Sequence, residues 1–179
     1  MKHLIITGAL VAFLGGCAGE GMGAGAGGAY TSEAQTTPAG ADFVRMAGAS
    51  DLYEIQSSQA LLQSTQNPEL RRFAQMMIEH HTQTTVTVTA AAREAGMTPP
   101  PPALDARKTE MIRQLQAVQG EERDRLYIQH QVMAHQEALS LHSGYAENGD
   151  TPQLRQAAAT ARPIVERHLN EIQRMRTDV

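Results

Sequence analysis

The sequence predicts an all-α protein, a bundle of four long helices with a short extra helix between the second and the third. Apolar residues recur at spacings of three and four in four separate stretches, as they do on amphipathic helices. The chain has no tryptophan and only three phenylalanines, so Leu, Ile, Val, Met and Ala must form its core, which suits packed helices. Breaks that contain proline or glycine separate the stretches.

The first two long helices are joined by a short turn that ends at Asn67. The first is predicted from about Asp42 to Thr65, and the second from Pro68 to Ala95, with Asn67 as its N-cap. Residues 84–89 (TTVTVT) alternate like a strand, but their flanks are helical, so we predict that the helix continues. The inward stripe of the first helix comprises Phe43, Ala47, Ser50, Glu54, Ser57 and Leu61.

The link between the second and third long helices is long enough to cross the bundle. Residues 99–102 are four prolines, which form a rigid extended break, and a short helix is predicted from Leu104 to Val118. That helix alone covers roughly 22 Å at 1.5 Å per residue. Such a connection allows the second and third long helices to run parallel, as in ferritin-like four-helix bundles.

The third and fourth long helices follow the crossover and are joined by a second turn. The third is predicted from about Glu121 to Ala146, and the fourth starts at Pro152, with Thr151 as its cap. The third helix carries Tyr127, Gln131, Ala134, His135, Ala138 and His142 on one face. The fourth carries Leu154, Ala157, Ala161, Ile164, His168, Ile172 and Met175.

The N-terminal region predicts export and a lipid anchor. Residues 1–16 have a short basic start and an apolar run of about eleven residues, too short to span a membrane, so we interpret them as a signal peptide. Residues 14–17 (LGGC) resemble the lipobox of bacterial lipoproteins, in which the cysteine is lipidated; the alternative is an ordinary signal that contains a cysteine. Lipidation of Cys17, followed by Ala18, would anchor the protein in the outer membrane, facing the periplasm.

The sequence divides into three segments. Residues 1–16 are the predicted lipoprotein signal, residues 17–41 a flexible tether rich in Gly, Ala and Thr, and residues 42–179 the helical bundle domain. The formal net charge is −4, and no basic block or aromatic ladder occurs, so we expect no nucleic-acid partner. The chain has no nucleophile elbow, P-loop, HExxH motif or dinucleotide fingerprint, so we predict no catalytic residue and favour a protein that is not an enzyme.

One polar residue that can bind a metal lies on the inward face of each long helix, and all four fall at a similar level. Glu54 lies thirteen residues before Asn67, and His81 lies fourteen after it. His135 lies fourteen residues after Glu121, which a crossover places at the same end of the bundle. The fourth such residue is His168, ten residues before Asp178. A helical bundle can assemble a metal site from side chains of this kind near its middle.

Glu54, His81, His135 and His168 would suit a single Zn, Cu or Fe ion, because imidazole is a good ligand for these metals. A carboxylate-bridged di-iron site is not expected, because no Glu-x-x-His occurs in the chain. His80 and His142 are candidate outer partners of the ligands. Met76, Met77 and Met133 would favour copper(I) if they face the site, or would be ordinary core residues. The alternative is a buried polar network that fixes the helices without any metal.

The residues from about Asp42 to Met175 resemble the family catalogued as domain of unknown function 4142. The resemblance rests on Glu54, on Asn67-Pro68, on Phe73-Ala74 followed by Met77 and His81, on Tyr127 with His135, and on Pro163 with His168. It implies a ferritin-like bundle in a secreted or envelope protein and implies no particular activity. The family usually has an aspartate where this chain has His80, so an acid role at that position is not expected here.

Two functions are weighed against each other, and a third, an oxidoreductase, would need a redox metal with an open coordination position. In the first, the protein is an envelope lipoprotein, attached to the membrane through Cys17, whose interior Glu/His cluster binds a metal ion. In the second, the protein is a structural or interaction module that meets another envelope protein, and the cluster serves only folding.

Overall fold

The computed structural model describes residues 37–177, with side chains to residue 175. Within that range the chain forms five helices and no strand: α1 (Gly40–Leu62), α2 (Pro68–Glu94), α3 (Ala106–Ala117), α4 (Gly120–Asn148) and α5 (Pro152–Thr177). The predicted all-α bundle with a short helix in its crossover is confirmed. The predicted signal peptide, Cys17 and all of the tether before residue 37 lie outside the described residues, while Gly40 and Ala41, assigned to the tether, belong to α1.

The helices are arranged so that α2 and α4 run parallel. At one end of the bundle, where α1 ends, Gly120 N at the start of α4 donates to Ser64 Oγ (3.2 Å) and Arg123 Nη1 donates to Ala60 O (2.6 Å). At the other end, Gly40 N at the start of α1 donates to Asp150 Oδ2, in the turn between α4 and α5 (3.2 Å). The crossover thus spans the bundle, as predicted, and α3 packs on α1 and α4 along the way.

The helix boundaries have local causes. Asn67 Oδ1 caps α2 by accepting from the backbone N–H groups of Glu69 (2.9 Å) and Leu70 (3.2 Å). Asp105 caps α3 through Lys108 N (2.7 Å). Gly120 begins α4 with φ +57°, a conformation that glycine adopts without steric cost. The first helix ends at Leu62 rather than at Thr65, whose hydroxyl instead accepts from Asn67 N (3.2 Å) in the turn.

The strand-like run of threonines is helical, as predicted. Hydroxyl groups of two of these residues, Thr84 and Thr85, donate to Asp51 on α1, and Thr87 donates to the carbonyl of Gln83 within its own helix (2.9 Å). Hydrogen bonds from α2 to α1 therefore stabilise the start of this run, whose β-branched residues have a weak intrinsic preference for the helix.

The core contains an apolar cluster near each end, a third apolar cluster in which α3 packs on α1 and α4, and a polar layer. The cluster near Asn67 includes Leu61, Phe73 and Met77, and the cluster near Asp150 includes Phe43, Leu154 and Tyr145 stacked on Phe43 at 4.0 Å between ring centroids. Among residues 37–177, no helix has the length and apolar character needed to cross a membrane. The polar layer is formed by six buried residues: Asp51, Glu54, His81, His135, His142 and His168.

Candidate metal centre

Three histidines from three different helices meet in the polar layer. His81 on α2, His135 on α4 and His168 on α5 are at most 2% exposed. One ring nitrogen of each lies within 4.8 Å of those of the other two. We call this cluster the histidine triad. Three of the four residues that the sequence placed at one level are thus brought together within reach of a single metal ion.

Each member of the triad has one ring nitrogen without a hydrogen-bond partner among the described residues. These atoms are Nε2 of His81, Nε2 of His135 and Nδ1 of His168. A buried polar atom without a partner is costly, and native proteins contain few of them. Three such atoms in one cluster suggest a site that a ligand completes.

The hydrogen bonds of the opposite ring nitrogens fix the tautomers of two of these histidines. His135 Nδ1 lies 2.9 Å from the backbone carbonyl oxygen of Gln131, which can only accept, so Nδ1 carries the proton. His81 Nδ1 lies 2.8 Å from Asp51 Oδ1, and an ionised carboxylate likewise only accepts. In both rings Nε2 is therefore the nitrogen that keeps a free lone pair when the imidazole is neutral.

His168 is held by another histidine. His168 Nε2 and His80 Nδ1 lie 2.8 Å apart, and the two rings are stacked with centroids 5.0 Å apart. His80 is partly exposed, so it lies between the buried triad and the solvent. From the sequence, we predict that His80 contacts a metal ligand from outside the site. The structure places it in contact with His168.

Glu54 lies beside the triad rather than within it. Its carboxylate is fully buried, and Oε1 lies 3.7 Å from His135 Nδ1. Neither carboxylate oxygen has a hydrogen-bond partner among the described residues. Burial raises the pKa of Glu54 to about 7, against the opposing charge of His81. The carboxyl group therefore changes its charge close to neutral pH.

The electrostatics of the triad keep two of its histidines neutral. Burial lowers the pKa of His135 to about 3, and the charge of His81 lowers it further. Burial, together with the charges of His81 and His135, lowers the pKa of His168 to about 2. Burial also lowers the pKa of His81, but the hydrogen bond to Asp51 and the charges of Asp51 and Glu54 outweigh it and raise that pKa above its usual value. Neutral imidazole is the form that binds metals.

The remaining histidines and methionines lie outside the triad. His142 is buried with its ring edge-on to Phe43, 5.6 Å between centroids, and burial lowers its pKa to about 4. His130 is buried on α4, and burial lowers its pKa too. Met77 belongs to the apolar cluster near Asn67, Met76 packs against it, and Met133 is 41% exposed.

Sequence reasoning missed Asp51. This residue is 3% exposed and accepts hydrogen bonds from His81, from Thr84 (2.9 Å) and from Thr85 (2.9 Å). The signal that could have found it is its position, four residues after Ala47 and three before Glu54, which places a charged side chain on the inward stripe of α1.

Solved structures share this fold. A DUF305 fragment from Deinococcus radiodurans is 14% identical, with a TM-score of 0.68 over 80% of this chain and 98% of its own. CopM in its Cu(II)-bound form is 15% identical, with a TM-score of 0.66 over 80% and 99%. A predicted secreted DUF305 protein from Streptomyces coelicolor is 19% identical, with a TM-score of 0.61 over 76% and 87%. At these identities the similarity establishes the fold alone.

No curated protein matches the sequence. At the level of families, residues 26–175 match the family described as Domain of unknown function (DUF4142), in agreement with the resemblance seen in the sequence. Because this match covers most of the chain, the protein belongs to the DUF4142 family.

Proposed function

We propose that this protein is an envelope metal-binding protein whose histidine triad holds one transition-metal ion. The observation that carries the proposal is the set of three unpartnered ring nitrogens, one from each of His81, His135 and His168, buried in the polar layer. A metal ion would give each nitrogen a partner and thereby remove the cost of leaving it unpaired.

The spacing of the nitrogens fits a single ion after a small contraction. In a tetrahedral site with metal–nitrogen distances of about 2.05 Å, the ligand nitrogens lie about 3.4 Å apart. One ring nitrogen of each triad histidine lies within 4.8 Å of those of the other two, so binding would draw these nitrogens together by up to about 1.4 Å. Glu54, next to His135, would supply negative charge beside the ion or a fourth ligand after a modest side-chain movement.

The donor set favours Zn, Cu or Fe, since neutral imidazole suits all three and calcium and magnesium prefer oxygen ligands. Copper is the first ion to test, because CopM, which was solved with Cu(II) bound, has this fold. Any open coordination position would be filled by water or by an exogenous ligand; we assign no catalytic step to the site.

The proposed location is the outer membrane, with the bundle in the periplasm and Cys17 as the lipid anchor. The lipobox-like residues 14–17 support it, and one of the fold neighbours is predicted to be secreted. The Cys17→Ala variant tests this: it should leave the membrane fraction, whereas the wild-type protein should stay there and carry a lipid mass on its N-terminal peptide. An unmodified cysteine in the wild-type protein would refute the anchor.

The metal proposal is tested by measuring metal content. The protein, purified as the cell produces it, is stripped with EDTA, incubated separately with Zn²⁺, Cu²⁺ and Fe²⁺, freed of excess ion and analysed for metal per chain. We expect about one ion per chain for at least one metal, with the His135→Leu variant binding none. The His130→Leu variant is the matched control, since His130 is also a buried histidine of α4 but lies outside the triad. Wild-type protein without bound metal would refute the proposal.

A second candidate function is a structural or interaction module of the envelope. The observation that favours it is the network around Asp51, in which a buried carboxylate is satisfied by His81 and two threonines. In that case the whole polar layer would serve to fix the register of the helices, and an unidentified envelope protein would bind the outer faces. Unfolding of the wild type and of His135→Leu, with EDTA or with added zinc, separates the two functions.

A further inference from the structure

The carboxylate of Asp51 has a more specific relation to the triad than a general structural role requires. Asp51 Oδ1 contacts Nδ1 of His81 at 2.8 Å, while the opposite ring nitrogen, Nε2, is buried without a partner. The bond from Nδ1 to an acceptor-only group places the proton on Nδ1. The lone pair is consequently on Nε2, the nitrogen without a hydrogen bond.

Two threonines hold this carboxylate in place. Thr84 Oγ1 donates to Oδ1 and Thr85 Oγ1 donates to Oδ2, each at 2.9 Å, so both oxygens of Asp51 are engaged. Thr84 and Thr85 lie three and four residues after His81 on the same helix. Thr84 and Thr85, which begin the strand-like run, thus orient the carboxylate of Asp51 on α1. That carboxylate faces His81, one helical turn earlier on α2.

We propose that Asp51 is a positioning residue for the metal site: it fixes His81 in the tautomer that presents Nε2 to the ion and adds a negative charge behind the ring. This inference rests on the proposed function. Carboxylates that accept from the far nitrogen of a histidine ligand fix the ring and raise its basicity, and their loss typically lowers metal affinity roughly 10- to 100-fold.

The three triad histidines have different partners on their far nitrogens. His135 bonds a backbone carbonyl and His168 bonds another imidazole, whereas His81 bonds a carboxylate. The carbonyl fixes the tautomer of His135 without supplying net charge, and an imidazole can either donate or accept, so His80 does not fix the tautomer of His168. Asp51 therefore offers the triad a formal charge that compensates a buried divalent ion, and its removal should weaken binding without removing any ligand.

The test measures zinc affinity and the tautomer of His81 separately. Zinc affinity is measured by competition with a chromogenic chelator on the protein as the cell produces it. Asp51→Asn should lower the affinity roughly 10- to 100-fold while the limiting stoichiometry remains one ion per chain. The matched control is Asp124→Asn, since Asp124 is also a buried aspartate that accepts from a threonine hydroxyl, Thr65 (3.0 Å), but lies at the end of the bundle. Its affinity should equal that of the wild type.

The tautomer is read from ¹⁵N chemical shifts of histidine-labelled, metal-free protein. At alkaline pH, where the His81 ring is neutral, His81 should show a protonated Nδ1 and an unprotonated Nε2 in the wild type, and both tautomers in Asp51→Ala. Thr84→Val, a milder change that keeps the carboxylate, should give an intermediate affinity, so a folding failure of one variant does not decide the outcome.

Wild-type protein that binds none of Zn²⁺, Cu²⁺ and Fe²⁺ would overturn the proposed function and this inference together; if it binds copper or iron but not zinc, the affinities are measured with that ion. If the wild type binds zinc and Asp51→Asn binds it equally tightly, the inference alone is overturned. The same holds if Asp51→Asn loses no more affinity than Asp124→Asn does. A neutral His81 ring that carries its proton on Nε2 in the metal-free wild type at alkaline pH would also overturn it, whatever the affinity.

Discussion

Replacing His135 with leucine should stabilise the metal-free protein. The side chain is fully buried, and its Nε2 has no partner among the described residues. Removing an unpaired buried polar atom recovers roughly 1–3 kcal/mol, and the lost bond from Nδ1 to Gln131 O costs roughly 1 kcal/mol. That carbonyl keeps its helical hydrogen bond, and leucine is close to histidine in volume. The free energy of unfolding should therefore rise by up to about 2 kcal/mol.

The assay is unfolding by heat and by urea, with EDTA or with added zinc. In EDTA, His135→Leu should melt up to roughly 8 °C above the wild type. With free zinc at about 100 times its dissociation constant, the wild type should gain about 2.7 kcal/mol and the variant nothing. The order of stability of the two proteins should then reverse. His130→Leu serves as the control, and it should keep the response to zinc.

The opposite result in EDTA would contradict this reasoning. If His135→Leu loses about 2 kcal/mol or more in EDTA, the histidine is satisfied in the metal-free fold. If zinc in addition has no effect on the wild type, the polar layer is a structural network, and the second candidate function is favoured over metal binding.

Three further changes test the fold and its electrostatics. Below about pH 6.5 the metal-free protein should lose stability, because His135 (pKa about 3) and His142 (pKa about 4) stay neutral when folded and bind protons when unfolded. Each histidine should lower the free energy of unfolding by roughly 1.4 kcal/mol per pH unit down to its folded pKa. Between about pH 4.5 and 7, Glu54 should cancel the contribution of one histidine, because its raised pKa makes the folded state bind the proton more tightly. A free energy of unfolding in urea that is constant from pH 4 to 6.5 would refute this. Asn67→Ala removes the cap of α2 and should cost about 1 kcal/mol in urea unfolding, while the exposed Gln66→Ala should change little. Phe43→Ala, at a fully buried position in the cluster near Asp150, should cost roughly 3–5 kcal/mol, and a loss below 1 kcal/mol would show that this cluster is not close-packed.

The sequence was sufficient to predict the helices and the level of the site. Amphipathic spacing and the Asn67-Pro68 start place α2. The length of residues 95–119 allows a crossover, and with a crossover α4 runs parallel to α2. Once the directions are fixed, the rise per residue brings His81 and His135 to one level. These are local or one-dimensional properties of the chain, which a sequence displays directly.

The hydrogen-bond partners of the site could not be predicted in this way. Whether Asp51 meets His81 depends on how α1 and α2 are rotated about their axes, and a shift of one residue turns a helical side chain by about 100°. Which nitrogen of a triad histidine lacks a partner depends on the group that the other nitrogen contacts. For His168 that group is His80, 88 residues earlier in the chain. The position of Glu54, beside the triad and not within it, depends on the same rotations.

The most direct test is an anomalous diffraction map from crystals grown with copper or zinc. We expect one peak within the polar layer, about 2 Å from Nε2 of His81, Nε2 of His135 and Nδ1 of His168. A fully loaded crystal whose only peaks lie on the surface, with the three rings as far apart as in the metal-free fold, would contradict this expectation.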